Sequence, residues 1–202
     1  MRKILFLSVC MIFFTGVAFA GSSAEVLLKV GVAPSSQINN NPTNDNAKRY
    51  DGDPGFSLSP EVYYYFMDNL GIGIGYNQLF NRNIKDRGDL IASNFYVALR
   101  PKFKVLENEY VYIIGQAGYG LMNHNFVVNG EELDNGSGFY YGVGGGVDIH
   151  NFIFELLFTS NKATLKSMVS EYEENDEYTL MTINIGYRFS VLTSKEKEDT
   201  EE

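Results

Sequence analysis

Acid–base or nucleophilic chemistry in this chain would have to run through two histidines, His124 and His150, because the single cysteine, Cys10, sits inside an apolar N-terminal run. A catalytic histidine needs a nucleophile on one side and an orienting acid on the other. His124 is followed by Asn125 and Phe126, so no nucleophile follows it, and His150-Asn151 falls in a tight turn. A serine or acid from a distant segment would have to approach His124, which is instead expected to be an exposed polar residue at a strand end. His150 is expected to be a turn residue. The acidic clusters, Glu131, Glu132 and Asp134 and then Glu171, Glu173, Glu174, Asp176 and Glu177, lack the ordered ligand spacing of a calcium loop. No catalytic residue, metal or cofactor is expected.

The richer chemistry is ionic. Lys29, Arg100, Lys102, Lys104 and Arg188 and, opposite in sign, Glu25, Glu61, Asp148 and Glu155 all occupy the polar phase of segments that alternate with period two. In residues 25–33 the apolar phase is Val26, Leu28, Val30 and Val32; in 56–66 it is Phe56, Leu58, Pro60, Val62, Tyr64 and Phe66. Ile72, Ile74 and Tyr76 alternate with Gly73, Gly75 and Asn77, and Phe95, Val97, Leu99, Pro101, Phe103 and Val105 with Tyr96, Ala98, Arg100, Lys102 and Lys104. Residues 111–121 are phased with Val111, Ile113, Ala117, Tyr119 and Leu121 on the apolar side. Residues 139–149, 152–159 and 181–189 complete eight strands of about 9 to 14 residues, enough to cross a bilayer at a tilt.

Connections alternate in length. Asp68-Asn69-Leu70-Gly71, Glu107-Asn108-Glu109 and His150-Asn151 are tight turns, whereas residues 34–55, 81–92, 123–138 and 160–176 form long polar loops. This rhythm describes an all-β, eight-stranded antiparallel up-and-down barrel with both termini at the short-turn end. The polar phase decides which face is outside. It is mostly Gly, Ser, Asn and Tyr with nine charges, which suits a narrow interior, while the nearly uniform Val, Ile, Leu, Phe and Tyr of the other phase suits lipid. The interior charges then form a salt-bridged plug and not a filter of one sign. Glu61 is expected to pair with Arg100, and Glu155 with Arg188. Tyr50, Phe80, Phe126, Tyr172 and Tyr178 at one end and Tyr110 and Tyr187 at the other are expected to form interfacial girdles.

The 202-residue chain carries a formal charge of −9. Arg2 and Lys3, the apolar run 4–14 and Ala18-Phe19-Ala20 read as a cleaved signal peptide, residues 1–20, whose loss takes the charge to −11. Nucleic acid is excluded as a partner by that charge. Residues 21–189 are assigned to the barrel, and 190–202, rich in Glu and Lys, to an acidic, disordered C-terminal tail.

The strand and loop rhythm, the run Tyr140-Tyr141-Gly142-Val143-Gly144-Gly145-Gly146-Val147-Asp148 and the closing Ile185-Gly186-Tyr187-Arg188-Phe189 resemble the small eight-stranded outer-membrane barrels, the OmpA transmembrane domain and OmpX-like proteins. The resemblance implies an integral bacterial outer-membrane protein, monomeric, with periplasmic termini. It also implies that Tyr187 and Phe189 supply the aromatic signal read by the insertion machinery, although this chain continues past Phe189. Some such barrels are lipid A enzymes, but the His-x-Ser arrangement of the deacylases is missing at His124. The tail is too short for a wall-binding domain. Partners implied are membrane lipid, lipopolysaccharide and an extracellular ligand held by the loops. The expected role is structural or surface-interacting, in adhesion or envelope integrity; a narrow pore is the alternative, and a soluble periplasmic lipocalin-like carrier the next.

Overall fold

The computed structural model describes residues 23–40, 49–85, 88–124, 127–128, 131–132, 135–166 and 173–191. The expected signal peptide and residues 192–202 of the tail lie outside the described residues. Eleven strands run in chain order: β1 (Ser23–Asn40), β2 (Arg49–Gly52), β3 (Gly55–Met67), β4 (Leu70–Ile84), β5 (Gly88–Leu106), β6 (Glu109–His124), β7 (Val127–Val128), β8 (Glu131–Glu132), β9 (Gly136–Ile149), β10 (Phe152–Lys166) and β11 (Glu173–Val191). Eight of them, β1, β3, β4, β5, β6, β9, β10 and β11, form a closed antiparallel ring, sealed where β1 pairs with β11 from Ala24↔Val191 to Asn40↔Asp176. The short β2 fills the seam between β1 and β4 above β3, and β7 and β8 form a separate two-stranded ribbon.

The tight turns fall where expected. At His150-Asn151 both residues have positive φ, 50° and 77°, the geometry of a two-residue hairpin whose twist matches the flanking strands. Closure pairs both edges of the eight ring strands, which in hydrocarbon is the condition for crossing at all.

Near the short turns most side chains point as their polarity predicts, with Leu27, Ile114, Ile153 and Leu157 as apolar residues that turn inward. Leu28, Val30, Ile72, Ile74, Val97, Leu99, Val143, Phe154, Ile183 and Ile185 are exposed on the outer wall, while Glu25, Lys29, Glu61, Tyr96, Arg100, Tyr112 and Glu155 are buried inside. The outer apolar wall belongs to lipid.

Beyond this belt the structure departs from expectation. β5 and β11 have 19 residues each, against the roughly 9–11 tilted residues that span a bilayer. Most of the expected loops 81–92 and 160–176 are strand, and loop 34–55 contributes the end of β1 and all of β2. In these extensions the polarity inverts. Ile38, Ile84, Leu90, Ala92, Met122, Ala163, Leu165, Tyr178 and Leu180 point inward and form one apolar cluster. Asn83, Lys85, Asp89, Asn123, Lys162 and Thr164 face outward. The inversion is produced partly by bulges: Ala33-Pro34 interrupts the β1–β11 register between Val32 and Ser35, and Phe80-Asn81 that of β4–β5 between Leu79 and Arg82. An extra residue exchanges the two faces of a strand. The lower half is therefore built as a membrane barrel and the upper half as a water-soluble one.

Two girdle expectations change with it. Tyr178 is fully buried inside the barrel and Tyr50 packs against the inner cluster, because both sit above the inversion. Phe80 and Tyr187 do face outward. Phe126 and Tyr172 lie outside the described residues.

Candidate functional site

The interior charges occupy two tiers. In the tier nearer the short turns, Glu25 of β1 accepts from Lys102 Nζ at 2.8 Å and from Arg188 Nη1 at 2.9 Å, and lies 3.5 Å from Arg100 Nη1. Asp148 of β9 pairs with Arg188 Nε at 3.0 Å and lies 3.8 Å from Arg100 Nη2. The Arg100 guanidinium rests 4.0 Å from the ring centroid of Tyr112, and Lys102 Nζ lies 3.7 Å from that of Tyr65. Such cation–ring contacts are strongest when desolvated.

The second tier centres on Lys29. Its Nζ lies 2.8 Å from Glu61 Oε1 and 2.7 Å from Glu155 Oε1. Glu61 also accepts from the Tyr96 hydroxyl at 2.7 Å and from Gln116 Nε2 at 3.2 Å. Glu155 accepts from Tyr112 at 3.0 Å and Asn184 Nδ2 at 2.9 Å, and Tyr140 donates to Gln116 Oε1 at 2.6 Å. Tyr112 thus joins the tiers, stacking under Arg100 while donating to Glu155. A buried ion pair is favoured when its remaining hydrogen-bonding capacity is also met, and Tyr96 and Tyr112 meet part of it at Glu61 and Glu155.

Of the expected interior charges, Glu61, Arg100, Lys102, Asp148 and Glu155 are buried within these tiers, and Arg188 is partly exposed at the short-turn mouth. Lys104 is the exception: it is exposed, since β5 has by then reached the rim. Without it the network holds four cations, Lys29, Arg100, Lys102 and Arg188, and four anions, Glu25, Glu61, Asp148 and Glu155.

Neither expected pairing forms. Counting residues from a turn does not give height in a barrel whose strands are sheared. The register instead leads from Glu61 through Gly75 to Tyr96, and from Arg100 through Gly71 to Tyr65. Arg188 likewise reaches Asn151, whose Oδ1 accepts from Nη2 at 3.0 Å, while Glu155 lies level with Asn184.

His124 also differs from expectation. It is buried, facing into the upper barrel, and its backbone N–H donates to Asn135 Oδ1 at 3.3 Å. His150 is the turn residue expected. Among the described residues no cluster of three metal-ligating side chains occurs. Tyr187 and Phe189 both lie on the outer wall, their rings 4.9 Å apart, with Phe152 against Tyr187 at 5.4 Å.

Several interior residues are not legible in the sequence, an arginine among them. Arg82 of β4 is buried among the apolar side chains of the upper cluster. The only signal for it was the phase change at Phe80-Asn81.

The family model for the outer membrane protein beta-barrel domain matches residues 6–189. The chain belongs to this family. It is therefore an integral protein of the bacterial outer membrane, and the apolar belt is its lipid-facing wall. No curated protein matches its sequence. Solved structures resemble it in fold: outer membrane protein AlkL, at 10% identity over 90% of this chain and 97% of that one, with a TM-score of 0.50; Ail, the attachment invasion locus protein of Yersinia pestis, at 19% identity over 82% and 99%, TM-score 0.47; and OprG from Pseudomonas aeruginosa, at 15% identity over 84% and 96%, TM-score 0.47. The barrel's two charge tiers stand in its membrane half, and its apolar cluster fills the half beyond.

Proposed function

We propose that this outer-membrane barrel is a non-conducting scaffold whose strands extend past the bilayer as a rigid extracellular collar, and that the collar makes its contacts at the cell surface. The short turns and both termini then face the periplasm. The observation that carries this reading is the double closure of the interior. Arg100, Lys29 and their carboxylate partners fill the membrane half, and Ile38, Ile84, Leu90, Leu165 and Tyr178 fill the collar. An eight-stranded ring has an interior only wide enough for side chains, and these positions are occupied. What the protein can offer to others lies on the outer face and rim of the collar.

The collar's support differs from that of a mobile loop. Its hairpins keep ladder hydrogen bonds as far as Lys166↔Glu173 in β10–β11 and Ile84↔Gly88 in β4–β5. Outward side chains there are held by neighbours, as where Tyr141 and Ser160 donate to Glu177 at 3.1 and 2.7 Å. A preordered surface loses less entropy on binding than a disordered one. Its acidic rim favours basic partners or, through divalent cations, the phosphates of lipopolysaccharide.

Two measurements test this reading together. Planar bilayers holding the purified barrel should show no stepwise conductance, and cells expressing a variant with the β10–β11 hairpin shortened to its membrane part should insert normally while losing adherence. Resolved channel steps from the unmodified barrel would replace the scaffold with a pore.

A further inference from the structure

Among the described residues every buried cation of the membrane half has a carboxylate; Arg82, in the collar, does not. Its side chain is buried, 3% exposed, and Nε, Nη1 and Nη2 all lack an acceptor. Among the described residues no carboxylate forms an ion pair with it. A guanidinium cannot escape this situation by losing its proton, so its charge must be answered by another group.

We propose that Arg82, with the hydroxyls of Tyr178 and Ser36, forms an anion site inside the collar, and that its ligand is a compact monovalent anion, a halide or the carboxylate of a small organic acid. Three features converge on it. The Tyr178 hydroxyl lies within reach of both Ser36 and Arg82, yet neither it nor Ser36 Oγ makes a hydrogen bond of good geometry. Five guanidinium N–H donors and two hydroxyls therefore gather around one spot with no anionic acceptor, and buried donors left unpaired are strongly unfavourable. Arg82 Cζ stands 6.0 Å from the Tyr178 ring centroid, at the outer limit of a cation–ring interaction with the ring that carries one of those hydroxyls. Gly55 of β3 faces the guanidinium closely: a β-carbon there would come within 2.7 Å of Nε and 2.9 Å of Cζ. The head group is thus fixed in place by the neighbouring backbone.

The surroundings set the ligand's size and charge. Ile38, Leu79, Ile84 and Leu180 belong to the same buried apolar cluster as Tyr178, among which a compact ion brings fewer polar groups to desolvate than a large polar one. One guanidinium charge in apolar surroundings is balanced by one negative charge. Asp176, buried one inward position beyond Tyr178 on β11, has interactions of its own, and its carboxylate would repel a dianion.

The test uses the full mature chain refolded in detergent micelles, with thermal unfolding followed by the heat-shifted gel band at constant ionic strength. Chloride and bromide form one arm, formate and acetate a second, and a bulky organic sulfonate the reference. The unfolding midpoint should rise saturably by several degrees in at least one of the first two arms, and which arm responds identifies the source of the charge. Arg82→Met should abolish the dependence, and Gly55→Ala, which displaces the guanidinium without removing it, should weaken it. Crystals grown in bromide or formate, whichever responds, should show the anion on the Arg82 guanidinium, bromide by its anomalous scattering. Should Arg82→Met fail to fold, the unmodified protein still decides. Equal midpoints in all salts would overturn the site. So would an unchanged salt dependence in a folded Arg82→Met, or bromide found only on the outer surface as an adventitious ion.

Discussion

Lys29 of β1 and Glu155 of β10 meet at 2.7 Å across the lumen although 126 residues separate them and β11 lies between their strands. Their contact exists only in the closed ring. Because Glu61 approaches the same ammonium at 2.8 Å, Lys29 is the charge that holds Glu61 and Glu155 together. Replacing it by Met leaves both unpaired in the interior, and breaking a buried pair from one side costs about 3–5 kcal/mol. Urea unfolding of the barrel in lipid vesicles should show that loss for Lys29→Met. The triple variant Lys29→Met, Glu61→Gln, Glu155→Gln should recover much of it, since no charge is then stranded.

The Tyr96 ring lies over Gly75, where a β-carbon would come within 2.6 Å of Cζ. A larger side chain at that position pushes the ring, and with it the hydroxyl that donates to Glu61. Gly75→Val should destabilise the barrel by about 1–3 kcal/mol through overpacking. Tyr96→Phe should cost about 1.5–3 kcal/mol through the lost hydrogen bond to a charged group. Equilibrium unfolding measures both, and the combined variant should fall short of their sum because both act on one contact.

Position along the strand should decide what a charge does on the outer wall. Leu99→Arg and Ile183→Arg place a charge in the lipid belt, at side chains each 52% exposed, and should impair insertion by about 2–4 kcal/mol near the midplane. Thr164→Arg, equally outward but in the collar, should insert like the unmodified chain. Folding yields into vesicles distinguish the two classes.

Within the collar the rule reverses. Leu165 and Ile84 are 1% and 0% exposed, so truncating either to Ala should open a cavity and cost about 2–5 kcal/mol. The membrane half should still form. Protease added from outside should then cut the collar of these variants while sparing the belt, which mass spectrometry of the fragments would reveal.

The membrane half was legible because lipid imposes one rule on it. Alternating Phe95, Val97, Leu99 and Phe103 against Tyr96, Arg100 and Lys102 leaves a single consistent facing, and the short turns fix how the strands follow one another. The collar was not legible for the same reason. Asn161, Ala163 and Leu165 alternate with Lys162, Thr164 and Lys166 as plainly as any strand, but with the opposite polarity, and the bulges at Ala33-Pro34 and Phe80-Asn81 hide the switch. A polar loop and a strand in water share a composition. The interior charges could be named from phase alone, yet their partners depend on the stagger of a sheared ring. That is why Glu61 found Lys29 and not Arg100, and why Arg82, beyond a bulge, was passed over.

The inversion of polarity along single strands is most directly tested by a depth profile on β10. With Cys10 in the expected signal peptide, the mature chain offers no competing thiol, so single cysteines at positions 154, 156, 158, 162 and 164 can carry an environment-sensitive label in lipid vesicles. Labels at 154, 156 and 158 should be quenched by lipid-borne quenchers and shielded from aqueous ones, and labels at 162 and 164 the reverse. Lipid quenching at 162 and 164 equal to that at 156 would contradict the collar and put the whole strand in the membrane.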